Sequence, residues 1–322
     1  MPREVDVVVS YVTQHWSFDP FVVIAVITVI AHEIGLSRLR HHSIEERTRR
    51  RRRNSCVFYA GLAVMLLAIA SPIDYWASKY FFVHMIEHLL IMFMAPALVV
   101  AGAPWIPFLF TLPVGPRRKV GRYFYLNVNA RGLRALGKYI RSPWVALISF
   151  NAAMLVWHIP ALFDLSQRSQ LVHVWAMHAS FFVTGVLFWL QIIESYPMRP
   201  ARSPFWQAGA VVSTNVIMTV LAISMSILTA VSWYTVYAHV PGVTLPPFAD
   251  QQIGAAILWV CGDFWALPAL IYIVRRAIAE EGSMSNVIDR VTGRSPAQTI
   301  AAFRPHLAPD VRASASDEPS DP

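Results

Sequence analysis

Two histidines and two methionines in one short segment have the spacing of a metal site. In an α-helix, His84, His88 and Met92 follow one another at intervals of four residues and lie in one stripe. Met85 lies near the same face. Two imidazoles one turn apart can share a metal ion, and a thioether beside them suits soft Cu(I). Glu87 falls in the same apolar run, where an acidic side chain is costly in lipid and is usually functional or paired.

Three further segments carry residues that could complete such a site. His158 closes one apolar segment, and His173 and His178 open another. In an α-helix His178 is rotated by about 140° from His173, so the helical period does not assign both residues to one ion. Asp250 begins the last apolar segment, where its carboxylate could be a ligand or, more commonly, a helix cap.

The same residues are also compatible with roles that need no copper. Interfacial histidines often only form hydrogen bonds, methionine stripes often only pack, and paired histidines on facing helices also ligate haem. The spacing alone therefore leaves a metal site, a haem site and plain packing open. No Gly-rich phosphate loop, GxSxG elbow or HExxH motif occurs, so we do not predict an enzyme.

The elements that must position these residues are long apolar segments. Of the 322 residues 56% are hydrophobic and 14% are charged, whereas an ordinary globular protein has about 25% charged residues. A membrane-spanning helix needs about 20 mostly apolar residues. Segments of this kind lie near residues 20–37, 55–73, 82–103, 143–162, 172–193, 207–231 and 251–275.

The sequence therefore predicts an all-α polytopic membrane protein, a bundle of about seven transmembrane helices. The bundle covers residues 20–277, between an external segment, residues 1–19, and a polar tail, residues 278–322. The composition at the end of the tail is that of a disordered segment.

The basic residues predict the orientation of this bundle. With seven spans, 24 of the 27 lysines and arginines fall on one side. The positive-inside rule makes that side cytoplasmic, so we expect the N-terminus outside and the C-terminus in the cytoplasm. Four histidines are then expected at the cytoplasmic surface: His32, His41, His42 and His306. The other seven fall on the outer side or in the outer half: His15, His84, His88, His158, His173, His178 and His239.

The run from Arg49 to Arg53 could suggest nucleic-acid binding. Because it directly adjoins a predicted span, we interpret it as a contact for anionic membrane lipid on the cytoplasmic side, and we expect no nucleic-acid partner. Cys56 and Cys261 match no redox or zinc spacing and are expected to be buried packing residues.

Four segments form a recognisable pattern, in order over about residues 80–265. They are His84–Leu90 with Ala95–Pro96 and Ala101–Pro104, Trp157–Asp164, His178–Phe181 with Gly185 and Leu187–Trp189, and Asp250–Gly254 with Leu258–Trp259. The pattern resembles the CtaG family of caa3-type cytochrome c oxidase assembly factors.

The resemblance implies a seven-helix plasma-membrane protein that is needed to mature haem-copper oxidase and helps copper reach it, with oxidase subunits as partners. The positions that match the family pattern are His84, His88, His158, His178 and Asp250. One position departs from it: family members often place a histidine one turn before the position of His178, whereas here His173 lies five residues before it.

The first functional hypothesis is an assembly factor that binds or hands over copper at an outer-side His/Met site. Its candidate ligands are His84, His88, Met92, His158, His178, His173, Met85 and Asp250. A second hypothesis is a membrane transporter of copper. Its path would include Glu87 and Asp263, and Asp263 is expected near the bilayer midplane. A haem-binding membrane subunit and a scaffolding factor without metal are the third and fourth hypotheses.

Overall fold

The computed structural model describes residues 14–17, 20–40, 45–282 and 286, and within these ranges the chain folds into helices. We number those longer than one turn α1 (Pro20–Arg40), α2 (Glu45–Ala70), α3 (Pro72–Ala77), α4 (Phe81–Gly102), α5 (Trp105–Thr111), α6 (Val114–Leu126), α7 (Arg131–Ile140), α8 (Pro143–Trp157), α9 (Pro160–Arg168), α10 (Val172–Ile192), α11 (Pro204–Ser226) and α12 (Pro247–Glu281).

Six of these helices are long and apolar enough to cross a membrane: α1, α2, α4, α10, α11 and α12. A seventh span is formed if the segment Val128–Ile140 and α8, which meet at a bend of 63°, are counted as one bent helix. The predicted all-α fold with about seven spans is confirmed, and the chain is a multi-pass membrane protein.

The fourth predicted span is shorter than expected, because α8 ends at Trp157 rather than near residue 162. Ile159 precedes Pro160 and has the extended backbone (φ −66°, ψ 123°) that a following proline favours. The chain therefore breaks at His158 and turns into α9. This break leaves the His158 side chain at the end of a span.

Two of the spans contain π-helical segments. Leu90–Met94 interrupts α4, and Val172–His178 forms the beginning of α10. In a π-helix each backbone hydrogen bond joins residues five apart, whereas in an α-helix it joins residues four apart. The angular positions of side chains therefore change across a π-helical segment. Three of the candidate ligands lie within these segments: Met92, His173 and His178.

Helix α4 lies at the centre of the bundle. In its most apolar window 61% of the residues are buried, against 22–39% in the other helices long enough to span. Glycines let two neighbouring helices approach it closely. A Cβ atom on Gly185 of α10 would lie 2.5 Å from the Met92 carbonyl oxygen, and one on Gly254 of α12 would lie 2.5 Å from the Phe81 ring.

An aspartate of α12 caps the first turn of α4. The Asp250 carboxylate accepts hydrogen bonds from the backbone N–H groups of Phe81 (2.7 Å) and Phe82 (2.9 Å). The first N–H groups of a helix have no partner inside the helix. Asp250 supplies partners for two of them and fixes the beginning of α4 against α12.

We predict that Gly185→Ala destabilises the protein by roughly 1–3 kcal/mol, because the added methyl group meets a backbone carbonyl that cannot rotate away. Thermal unfolding in detergent measures the change. Gly209→Ala is the matched control, since Gly209 is also in a spanning helix but has open space around it. An equal effect of the two substitutions would contradict the packing described here.

Candidate metal centre

Five histidines, on α4, on α10 and directly after α8, meet in the interior of the bundle. Four of them have at most 4% of their surface exposed, and His173 is half-buried. The ring centroids of His84 and His88 lie 4.1 Å apart, and those of His173 and His178 lie 4.2 Å apart. The two pairs are in contact, because His84 stacks on His173 at 5.3 Å. His158 lies 6.1 Å from His88.

Glu87 lies among these rings and is fully buried. One carboxylate oxygen is 3.6 Å from Nε2 of His178, and the other is 3.7 Å from Nδ1 of His84. Ligand atoms of His84, Glu87 and His173 all lie within 4.8 Å of one another, a spacing that could hold a metal ion. We call the five histidines and Glu87 the histidine centre.

Glu87 was not among the ligands predicted from the sequence. The available signal was its type, an acidic residue inside an apolar segment and between two histidines. Its position in the α-helix turns it toward the rings of α10, which the spacing within α4 alone does not reveal.

His173 and His178 belong to the same site, contrary to the expectation from an α-helical period. The segment Val172–His178 is π-helical, and residues five apart lie next to each other on such a helix.

The predicted methionine ligands lie in the hydrophobic core. The Met85 side chain packs beside Gly254 of α12, at 3.2 Å from the position of a Cβ atom there. Met92 lies in the π segment of α4 and is buried in this core. The donors whose mutual distances define the centre are imidazole nitrogens and a carboxylate, and the methionine ligands stay a prediction.

Asp250 lies outside the histidine centre. Both of its carboxylate oxygens accept hydrogen bonds from the first turn of α4. The sequence left open whether Asp250 is a metal ligand or a helix cap, and the structure shows a cap. The capped helix is α4, whereas Asp250 itself belongs to α12.

The hydrogen bonding of the histidine centre fits a bound metal ion. Within the described part of the chain, eight ring nitrogens of the five histidines are buried without a hydrogen-bond partner. Each buried polar atom without a partner costs about 1–3 kcal/mol, and a metal ion bound by these nitrogens would remove that cost. The His158 ring is oriented by a 2.6 Å contact between Nδ1 and the Met154 carbonyl oxygen, which leaves Nε2 for an ion.

An aromatic layer covers the end of the histidine centre. Phe163 contacts the His84 ring at 4.9 Å, and Tyr234 packs on Phe163 at 4.2 Å. The Tyr234 hydroxyl donates a hydrogen bond to the His158 carbonyl oxygen at 3.3 Å. Burial, with a further contribution from Asp164, raises the pKa of the Tyr234 phenol, so the hydroxyl remains a donor.

The remaining histidines lie elsewhere. His15 stacks on Tyr75, and His239 is exposed. His32 is buried rather than solvated, which corrects the expectation of a surface role, and its Nδ1 lies 2.8 Å from the Tyr59 hydroxyl. His41, His42 and His306 lie outside the described residues.

These features define a multi-pass helical membrane protein with a buried cluster of histidines and one carboxylate. The profile of the cytochrome c oxidase caa3 assembly factor family, Caa3_CtaG, matches residues 31–280. The chain belongs to this family and is a bacterial multi-pass membrane protein.

Longer mycobacterial proteins are similar to the chain. Uncharacterized proteins of Mycobacterium bovis and Mycobacterium tuberculosis are each 25% identical to it over 287 residues, which are 85% of this chain and 41% of theirs. An uncharacterized protein of Mycobacterium leprae is 25% identical over 269 residues, 80% of this chain and 38% of its own length. The chain spans about two fifths of these relatives. No solved structure matches it.

We predict that Asp250→Ala lowers the free energy of unfolding by about 1–3 kcal/mol, because two buried N–H groups lose their acceptor. Asp250→Asn, which keeps one acceptor oxygen, should lose less. Denaturant unfolding in detergent measures both. If both variants are as stable as the unsubstituted protein, the Asp250 carboxylate does not stabilise the fold by capping α4.

Proposed function

We propose that the histidine centre binds copper and that the protein hands this copper to a haem-copper oxidase during assembly. The single observation that carries the proposal is the convergence of five imidazoles and one carboxylate in a buried cluster. Membership of an oxidase assembly family supports the partner. The charge count over the loops supports placing the centre toward the outer side, with the arginine-rich loops in the cytoplasm.

The donor set favours a transition metal, and copper above the others. Imidazole nitrogen suits Zn, Cu, Fe and Ni, and the affinity of such sites for divalent ions is greatest for Cu²⁺. Glu87 takes the place in this proposal that the sequence gave to the thioethers of Met85 and Met92. A carboxylate in the set makes the site harder than a His/Met site and suited to Cu(II) as well as Cu(I).

The number of donors fits a site that holds copper in transit. Five histidines and Glu87 are more than a four-coordinate ion requires, so an ion can exchange one ligand for another without losing all of them. A permanent structural site is closed by a fixed set of ligands, whereas a surplus permits stepwise release to a partner. His158 and His173, on the flanking helices, are the ligands that we expect to exchange.

We predict that replacing both His84 and His88 by alanine abolishes copper binding by the purified full chain. Glu87→Gln, which keeps the shape of the side chain, should weaken binding at least about tenfold. Titrations with Cu(I) and Cu(II), followed by removal of free metal and metal analysis, measure both effects. His239→Ala is the control, because this histidine is exposed and lies outside the centre.

Three results would contradict the proposal. Unchanged copper stoichiometry in the double histidine variant would show that the copper site does not include His84 and His88. A Soret band in the protein as purified, lost in the same variant, would assign the histidines to haem. If a chain without the five histidines still supported full maturation of the oxidase, copper binding would not be required and a scaffolding role would be favoured.

A further inference from the structure

An acidic side chain lies on the lipid-facing surface of the bundle, away from the histidine centre. Asp263 of α12 is exposed, and the large apolar side chains beside it on this helix are exposed as well. They are Val260 (54%), Phe264 (74%) and Leu267 (60%). The exposed apolar surface of a spanning helix contacts lipid or another helix, and Asp263 lies on this surface.

The depth of Asp263 follows from two contacts. Two residues further along α12, the Trp265 ring packs at 4.6 Å on Phe93, which lies near the middle of the central helix, Phe81–Gly102. Asn215, in the middle of Pro204–Ser226, donates a hydrogen bond from Nδ2 to the Asp263 carboxylate at 3.1 Å. Asp263 therefore lies close to the bilayer midplane.

The Asn215 amide does not neutralise this carboxylate. Among the described residues, Asp263 forms no ion pair with a lysine, arginine or histidine. Charged groups inside membranes almost always face the interior of a bundle or pair with a partner. An acid at the midplane that faces outward in the isolated chain points to a partner from outside this chain.

We propose that the face around Asp263 binds a transmembrane helix of another protein, which carries a lysine or arginine at the same depth. The surface on α11 that would flank this helix is a stripe of exposed valines, Val212, Val216 and Val220. Charge complementarity selects the partner: in a symmetric pair of this chain, two Asp263 carboxylates would approach each other and repel. This interaction surface is independent of metal binding at the histidine centre.

The proposal is tested with the full chain in liposomes and a synthetic Leu/Ala transmembrane helix that carries one central lysine. Energy transfer between labels on the two measures their association. We expect the lysine helix to associate about tenfold more tightly than the same helix with a central leucine or glutamate. Asp263→Asn should remove this preference, since it abolishes the charge and retains a polar partner for Asn215.

Phe264→Ala is the matched control, because it alters the same face but not its charge, and it should leave the preference for lysine unchanged. Circular dichroism and the elution profile establish that each variant is folded. Equal association of the lysine and leucine helices, or a lysine preference that persists in Asp263→Asn, would overturn the proposal. Self-association of the chain that is lost in Asp263→Asn would assign the face to a second copy instead and would overturn it as well.

Discussion

A membrane bundle cannot leave buried polar atoms to water, and this constraint governs the histidine centre. Its imidazole nitrogens lie inside the bundle, between helices whose outer surfaces face lipid. The Met154 carbonyl oxygen lies within hydrogen-bonding distance of one of them, and eight others in the described structure have no hydrogen-bond partner. An ion that took these nitrogens as ligands would stabilise the bundle, so the proposed copper binding would be coupled to folding.

The surrounding fold keeps the rings together through features far from them in the sequence. Asp250 joins the beginning of α4 to α12, and Gly185 and Gly254 let α10 and α12 approach that central helix. Phe163 and Tyr234 cover the centre on one side. These contacts are apolar or hydrogen-bonded to backbone, and they hold the helices that carry the imidazoles and Glu87 in place.

Much of this arrangement could be predicted from the sequence, and the rest depends on contacts that no local pattern encodes. The spans followed from apolar length, and the pairing of His84 with His88 followed from the α-helical period. The proximity of His173 and His178 did not, because it requires a π-helical turn for which the segment carries no recognised signal. Asp250 and the helix that it caps are 169 residues apart, so this role required the tertiary structure. The orientation of the bundle remains a prediction from charge.

X-ray absorption at the copper edge, on the copper-loaded full chain, tests the central claim most directly. If the histidine centre is the copper site, the first shell contains only nitrogen and oxygen, with the outer-shell scattering of several imidazoles, and Glu87→Gln changes that shell. Sulfur in the first shell would contradict the account, because it would place the ion at the thioethers of the core and not among the five histidines.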